Sequence, residues 1–454
     1  MRIGRYEIRG LLGRGGMGAV YKAAMPVTGR IVALKVLRPA EILEDIVGEG
    51  ALREMFFKEA ATMASISHGN VASILDVGTG DSVTPPHFTM EYFCGNLGVL
   101  MGETYEVELE SRRLGIEASL HIARGMLHGL DRLHFEGIVH RDVKPFNVML
   151  AEDQGGPGQV KLIDFGLSKL RGEKPAGHKG MVVGSPYYTA PEQEADPESA
   201  DARSDIYSVG VSLYRMLTGS LPEERGSTKR LCDIHADLDC AWDDFFDQAL
   251  ASEPDKRFKD AMTMIDALNN LEVAWQSQKD ATCVAPDLLF EPERHDPEWL
   301  PRHESVKVGV KGARAFFDLD VLWRPNEYGP GEFKDSGDGK VLDRVSGRGW
   351  EKVGSRYPLT WEHAHAHVAR LNRHGFAGRT DWRLPTVDEL TTLFTGRTEP
   401  GEFCLESVFD PRKARLWSSD TKAFTAAWYA DAEMGFVWWQ DRTCRFFVRA
   451  VCGR

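Results

Sequence analysis

Residues 140–148 read HRDVKPFNV, and at 164–166 the same chain reads DFG. Taken singly, each is unremarkable: a lone His-Arg-Asp is ordinarily a solvated surface cluster, and a lone Asp followed by Gly ordinarily marks a turn. In this order and spacing they make a coherent chemical set. Asp142 is suited to accept the proton of an attacking hydroxyl, and Lys144 to neutralise charge on a transferring phosphoryl group. Asn147 and Asp164 supply the hard oxygen ligands that magnesium prefers.

Upstream, LLGRGGMGAV at 11–20 places Gly13, Gly15 and Gly18 between two strand-like runs. Glycine lets backbone amides approach phosphate oxygens with no side chain in the way, although an isolated hairpin turn looks much the same. IVALK at 31–35 is a β-branched strand ending in Lys35. The stretch REMFFKEAATMASI that follows has helical character and carries Glu59. A buried lysine needs a carboxylate, and Glu59 is the candidate.

These residues resemble a Hanks-type protein kinase of the bacterial Ser/Thr branch from residue 1 to about 272. The later landmarks agree: SPYYTAPEQ at 185–193 with Ala190, Pro191 and Glu192, Asp205 at the head of SDIYSVGVSLYRMLTG, and Arg257 in PDKRF. The resemblance implies a bilobal α+β fold within a domain at 1–275. A small lobe (1–90) would hold a twisted antiparallel sheet and one helix, and a large, mainly helical lobe would span 95–272. It assigns catalysis to Asp142, Lys144, Asn147, Lys35 and Glu59. ATP would be held by Leu12, Gly13, Gly15, Gly18, Val20, Ala33, Lys35, Met90, Glu91, Phe93 and Asp164, and Mg2+ by Asn147 and Asp164. Met90 would back the adenine pocket, with backbone groups of Glu91 and Phe93 on the base. Arg257 and Glu192 are expected to form a buried structural pair. Lys144 and Ser185 resemble Ser/Thr specificity, so the partner expected is a protein with a Ser or Thr acceptor. Every catalytic position of the family is filled, which implies an active enzyme rather than a pseudokinase.

Two stretches depart from the family. KLRGEKPAGHKGMVV at 169–183 contains no Ser, Thr or Tyr. The phosphate that pairs with the arginine of this motif, here Arg141, in many relatives is therefore expected to be absent from it; its Lys169, Arg171, Lys174 and Lys179 face a single acid, Glu173. NLGVLMGETYEVELESRRLGI at 96–116 reads as a surface insertion, with a cap over the cleft as the alternative.

The whole chain has 454 residues, 42% hydrophobic, with a formal charge of −13. That length calls for two domains, and the acidic balance argues against nucleic acid as a partner. No apolar run is long enough to span a membrane, so a cytoplasmic protein is expected. Seven scattered cysteines without a CxxC pair fit a reducing compartment with no zinc site. A Cys444–Cys452 disulfide near the end is a less favoured alternative.

After the helical pattern FKDAMTMIDALNNLEVAWQ, which should end near Gln276, Pro286, Pro292, Pro297 and Pro301 describe a semi-rigid linker over 276–307. From 308 to 454 the chain is rich in tryptophan: Trp323, Trp350, Trp361, Trp382, Trp417, Trp428, Trp438 and Trp439. DSGDGKVLDRVSGRGWEK, PLTWEHAHAHVARLN, DWRLPTVDEL, LWSSD and FFVRAVCGR, in that order, resemble the C-terminal domain of the Legionella collagen-like protein, an α+β relative of C-type-lectin-like folds. In DWRLPTVDEL, Trp382 and Leu384 should plug a core, Arg383 pair outward, and Thr386 with Glu389 cap a helix.

Asp335, Asp338 and Asp343 read as a hairpin turn rather than a calcium loop, and His363 and His367 as solvated histidines rather than zinc ligands. The resemblance implies a binding module for a ligand or protein, with Trp428, Tyr429, Trp438 and Trp439 as candidate exposed contacts. The function expected is thus an ATP-dependent Ser/Thr kinase with a recruiting or sensing module. The rival readings are a pseudokinase scaffold, or a ligand-recognition protein acting mainly through that module.

Overall fold

Burial is nearly continuous along Gly18–Ala24 and Ile31–Leu37, as expected of inner strands covered on both faces. The computed structural model describes residues 1–15, 17–103, 109–151, 158–164, 186–222, 230–234, 238–281, 300–329, 331–396 and 404–453. It divides into two compact units. The first lies within 1–281; the second runs to the C-terminus from beyond 281 and also takes in Ser111–Ser119.

In the first unit, six antiparallel strands run in the order β1-β2-β3-β4-β6-β5: β1 (Arg2–Ile3), β2 (Tyr6–Gly15), β3 (Gly18–Ala24), β4 (Ile31–Leu37), β5 (Ile74–Gly78) and β6 (His87–Glu91). Register sets Val20 opposite Lys35 and Ala33 opposite Met90. With a side-chain period of two, Val20, Ala33, Lys35 and Met90 share one face. Ala19, Tyr21, Val32, Leu34 and Val36 build a core on the other. One helix was expected beside this sheet, but two are found, Glu41–Val47 and Glu49–Ser65. Gly48 between them sits at φ 85°, a conformation that breaks a helix and that glycine tolerates best. Phe56 of the second helix packs on Phe88 of β6 at 5.0 Å, which fixes the height of Glu59 over the sheet.

The helical lobe is organised by Ile116–Phe135 and Ala202–Thr218. The latter is buried along almost its whole length, and its serines satisfy their hydroxyls on the preceding turn, Ser208 on Ser204 O and Ser212 on Ser208 O. A three-stranded sheet of Gly95–Asn96, Val148–Ala151 and Gln159–Leu162 joins the two key motifs. HRDVKPFN leads into its second strand and Asp164 follows its third. The last helix, Ala261–Ala281, continues past the expected end at Gln276. At the end of the 96–116 stretch, Ser111, Arg112 and Leu114 are buried, which the surface-insertion reading did not expect. Within the second unit, the Arg112 guanidinium lies 3.8 Å over the Phe436 ring and donates to Leu322 O.

The second unit has two further antiparallel sheets. One combines Phe333–Asp335, Lys340–Asp343, Gly349–Glu351 and Val451–Cys452; the other combines Arg415–Ala423, Ala426–Asp431 and Phe436–Asp441. Trp350, Leu390, Phe394, Leu416 and Val451 lie in one core. Trp382 and Leu384 are buried as expected, and Thr386 and Glu389 form a reciprocal capping box. Arg383, however, does not pair outward. It makes a bidentate pair with Glu389, 2.6 Å on each arm, because that fully buried carboxylate needs a cation.

Asp335 and Asp338 serve the hairpin, accepting from Gly337 N and Lys340 N. His367 is buried against Glu351 rather than solvated, and His363 turns to Thr360. Trp428 and Tyr429 are core residues, not exposed contacts: Ala426–Asp431 is the middle strand of its sheet and is covered on both faces. Cys452 remains a thiol, so no Cys444–Cys452 bond forms.

Candidate active site

Lys35 is buried within β4, between Leu34 and Val36, and its Nζ donates to Glu59 Oε1 at 2.7 Å and to Asp164 Oδ1 at 3.1 Å. Burial alone would favour loss of its proton. Asp164 and Glu59 outweigh that cost and hold the ammonium above its ordinary pKa. The same pairing works in reverse on Asp164: burial pushes its carboxyl up, Lys35 pulls it further down, and the net position is below the usual carboxylate range. Both groups are therefore charged at neutral pH.

Asp142 is fixed from three directions. Lys144 Nζ donates to its Oδ1 at 2.9 Å, and Asn147 Nδ2 donates to its Oδ2 at 2.8 Å and to its backbone carbonyl at 2.7 Å. The amide nitrogen of Asn147 is thus committed to Asp142, leaving its carbonyl oxygen as the acceptor for a cation. Burial lowers the pKa of Lys144.

The backbone of this loop is held by Asp205, whose part in the site the sequence reading missed. Its fully buried carboxylate accepts from His140 N at 2.8 Å and Arg141 N at 2.7 Å, and meets His134 Nε2 at 2.8 Å. The legible signal was an acid at the start of an otherwise apolar helix. Arg141 and Asp164 both have positive φ, 63° and 58°, which is costly for residues with a Cβ and recurs at functional sites. His140 donates through Nε2 to Ile163 O while Nδ1 accepts from Asp142 N, which ties the two motifs together.

The glycines divide by role. A Cβ on Gly18 would lie 2.0 Å from Val36 O, so Gly18 permits β3 to pack against β4. Gly13 and Gly15 face open space, where a phosphate can approach the backbone. Leu12 is half-exposed on β2, and Val20, Ala33 and Met90 lie on the Lys35 face. Phe93 is half-buried just beyond β6. The Glu91 side chain takes a position the motifs did not disclose: Oε2 accepts from Ser73 N and from Lys161 Nζ, both at 3.0 Å.

Away from the centre, Arg257 makes the expected pair with Glu192, 2.7 Å on each arm, with Ser204 Oγ on the same carboxylate. Phe165, Gly166, Ser185 and the basic stretch Lys169–Val183 lie outside the described residues.

A β-sheet lobe presenting a Glu-paired lysine, above a helical lobe presenting an anchored Asp-Lys-Asn loop, defines a phosphoryl-transfer fold. The family model for the protein kinase domain matches residues 6–271, more than half of the chain, and the chain belongs to the protein kinase family. Residues 339–452 match the Lcl C-terminal domain. Among curated proteins, it is similar to the serine/threonine-protein kinase PksC of Streptomyces coelicolor, 35% identical over 291 residues, covering 60% of this chain and 50% of that protein. It is also similar to the serine/threonine-protein kinase Pkn1 of Myxococcus xanthus, 32% identical over 283 residues, covering 59% and 38%. The chain thus spans half or less of the length of these relatives. Among solved structures, the Mycobacterium tuberculosis PknI kinase domain is matched at 26% identity with a TM-score of 0.45, covering 60% of this chain and 98% of that one.

Proposed function

We propose that this protein is a serine/threonine protein kinase using ATP and Mg2+, with a C-terminal module that recruits the substrate or senses a ligand. In this reading the kinase domain occupies 1–275, a linker 276–307 and the module 308–454. One observation carries it: Lys35 is engaged by both Glu59 and Asp164 while Asp142 is held by Lys144 and Asn147. The ion pair and the base are both assembled, as phosphoryl transfer requires.

The donor set suits the cofactor. Asn147 and Asp164 offer hard oxygens to magnesium, and Gly13 and Gly15 leave the backbone open toward phosphate. ATP supplies the γ-phosphoryl group and magnesium offsets its charge. The protein then contributes position and proton handling. Asp142 receives the hydroxyl proton of a Ser or Thr side chain, with both of its oxygens already oriented. Lys144 stands beside it to offset developing negative charge, and Lys35 would supply positive charge to the nucleotide phosphates. Leu12, Val20, Ala33 and Met90 form the apolar walls for the base, and backbone groups of Glu91 and Phe93 read its edge.

The test is Asp142→Asn in the full chain. Phosphorylation of a Ser/Thr peptide should fall by about 10²–10⁴-fold, the span general-base removal typically costs, while nucleotide binding persists. A variant with wild-type turnover would overturn the assignment. Among the described residues no helix is long and apolar enough to cross a membrane.

A further inference from the structure

Two of the seven cysteines, Cys232 and Cys240, come together with an acid. Cys232 lies on the short helix Leu231–Ile234, and Cys240 opens the helix Cys240–Ala249. Asp243, three residues further along that helix, faces the same way as Cys240. Among the described residues, one ligand atom from each of Cys232, Cys240 and Asp243 lies within 4.8 Å of the other two. The eight-residue separation of the cysteines hides the cluster from any search for a CxxC pair.

We propose that Cys232, Cys240 and Asp243 form a binding site for a thiophilic divalent cation of the zinc class. Ligand atoms about 2.3 Å from a tetrahedral ion lie roughly 3.8 Å apart, and the three ligand atoms here lie within 4.8 Å of one another. The Cys232 thiol already stands 3.2 Å from Asp243 Oδ2, and Cys240 is exposed, which gives the ion a path in. Two thiolates and one carboxylate around a divalent ion carry one net negative charge. Arg230 offsets it: its guanidinium donates to Cys240 Sγ at 3.0 Å and to Asp243 Oδ2 at 3.3 Å. Asp243 Oδ1 also accepts from Leu231 N at 2.6 Å, an outer contact that orients the ligand. Binding replaces the two thiol protons with metal–sulfur bonds and releases both protons to solvent. Because binding releases these protons, affinity should rise with pH. Three protein ligands leave the fourth position to solvent. The bound ion would join the two helices as a clamp.

Cobalt titration of the reduced, nucleotide-free full chain provides the test, followed by zinc displacement. One equivalent should develop thiolate-to-cobalt charge-transfer absorption, bleached by zinc. Cys240→Ser and Cys232→Ser should each weaken binding by about 100-fold or more, whereas Cys452→Ser should leave it intact. Circular dichroism establishes that each variant is folded, and the exposed position of Cys240 makes Cys240→Ser the decisive one. An absence of the absorption band in the wild type, or its persistence in folded Cys240→Ser, would overturn the proposal.

Discussion

Asp205→Asn probes how the catalytic loop is held, because it keeps side-chain volume while removing charge. The carboxylate accepts from His140 N and Arg141 N and meets His134, and Arg141 is held at φ 63°. Hydrogen bonds to a charged group contribute about 1.5–3 kcal/mol each. An asparagine can still accept one of the two backbone bonds, as a neutral and weaker acceptor, but turns its amide donors toward the other N–H. The expected local loss is therefore about 2–3 kcal/mol. Amide hydrogen exchange at His140 and Arg141 reads this directly: at about 1.4 kcal/mol per tenfold, protection should fall roughly 30- to 150-fold. A loop displaced by about 1 Å should also lower kcat by about 10²-fold, since Asp142 follows immediately. Wild-type exchange at both amides in a folded variant would refute the anchoring role.

Arg257→Met strands the Glu192 carboxylate beside Ser204, and chemical denaturation should show the kinase unit losing about 3–5 kcal/mol. Burial holds His140 below its ordinary 6.5, outweighing the upward pull of Asp205 and Asp164. The unfolded chain thus takes up the proton first, and unfolding free energy should drop below about pH 6.5 by up to ~1.4 kcal/mol per pH unit. Above that pH the effect is absent. His140→Asn should flatten the slope by this one group's share, with His68 and His365, shifted the same way, retaining theirs. In the second unit, Trp428→Ala should cost about 3–5 kcal/mol in thermal unfolding because the ring is fully buried against Phe317 and Trp323.

Much of the kinase site was legible because its chemistry leaves few alternatives. A lysine inside a strand buried on both faces needs a carboxylate, and Glu59 lies on the helix that Phe56 docks to the sheet. The Arg257–Glu192 pair was expected from the family resemblance. What escaped was side-chain direction. Glu91 was read for its backbone, yet its carboxylate ties Ser73 to Lys161. Trp428 and Tyr429 stand in AAWYAD, which has no polar alternation, so a strand covered on both sides was the consistent reading of that stretch. Arg383 was expected to pair outward, although a capping glutamate that is also fully buried demands a cation. Cys232 and Cys240 show the limit of spacing rules: they lie on two different helices and come together although their sequence separation does not report it.

Two residues with positive φ, Arg141 and Asp164, belong to the two motifs that decide the fold, and each conformation costs about 1–3 kcal/mol unless its surroundings impose it. Asp205 imposes the first through paired backbone bonds. The second is held on both sides: Ile163 N donates to Asn147 O just before Asp164, and Lys35 binds the Asp164 carboxylate from the sheet. Asn147 also holds Asp142, so a single asparagine links the proposed base to the strand that delivers the proposed metal ligand. Lys35 carries that linkage to Glu59 and the small lobe. The residues proposed to act on phosphate are thus the same residues that keep one another's backbone in place. Removing Lys35 would loosen Asp164 as well as delete a cation, and its effect on activity should therefore exceed what the lost charge alone predicts.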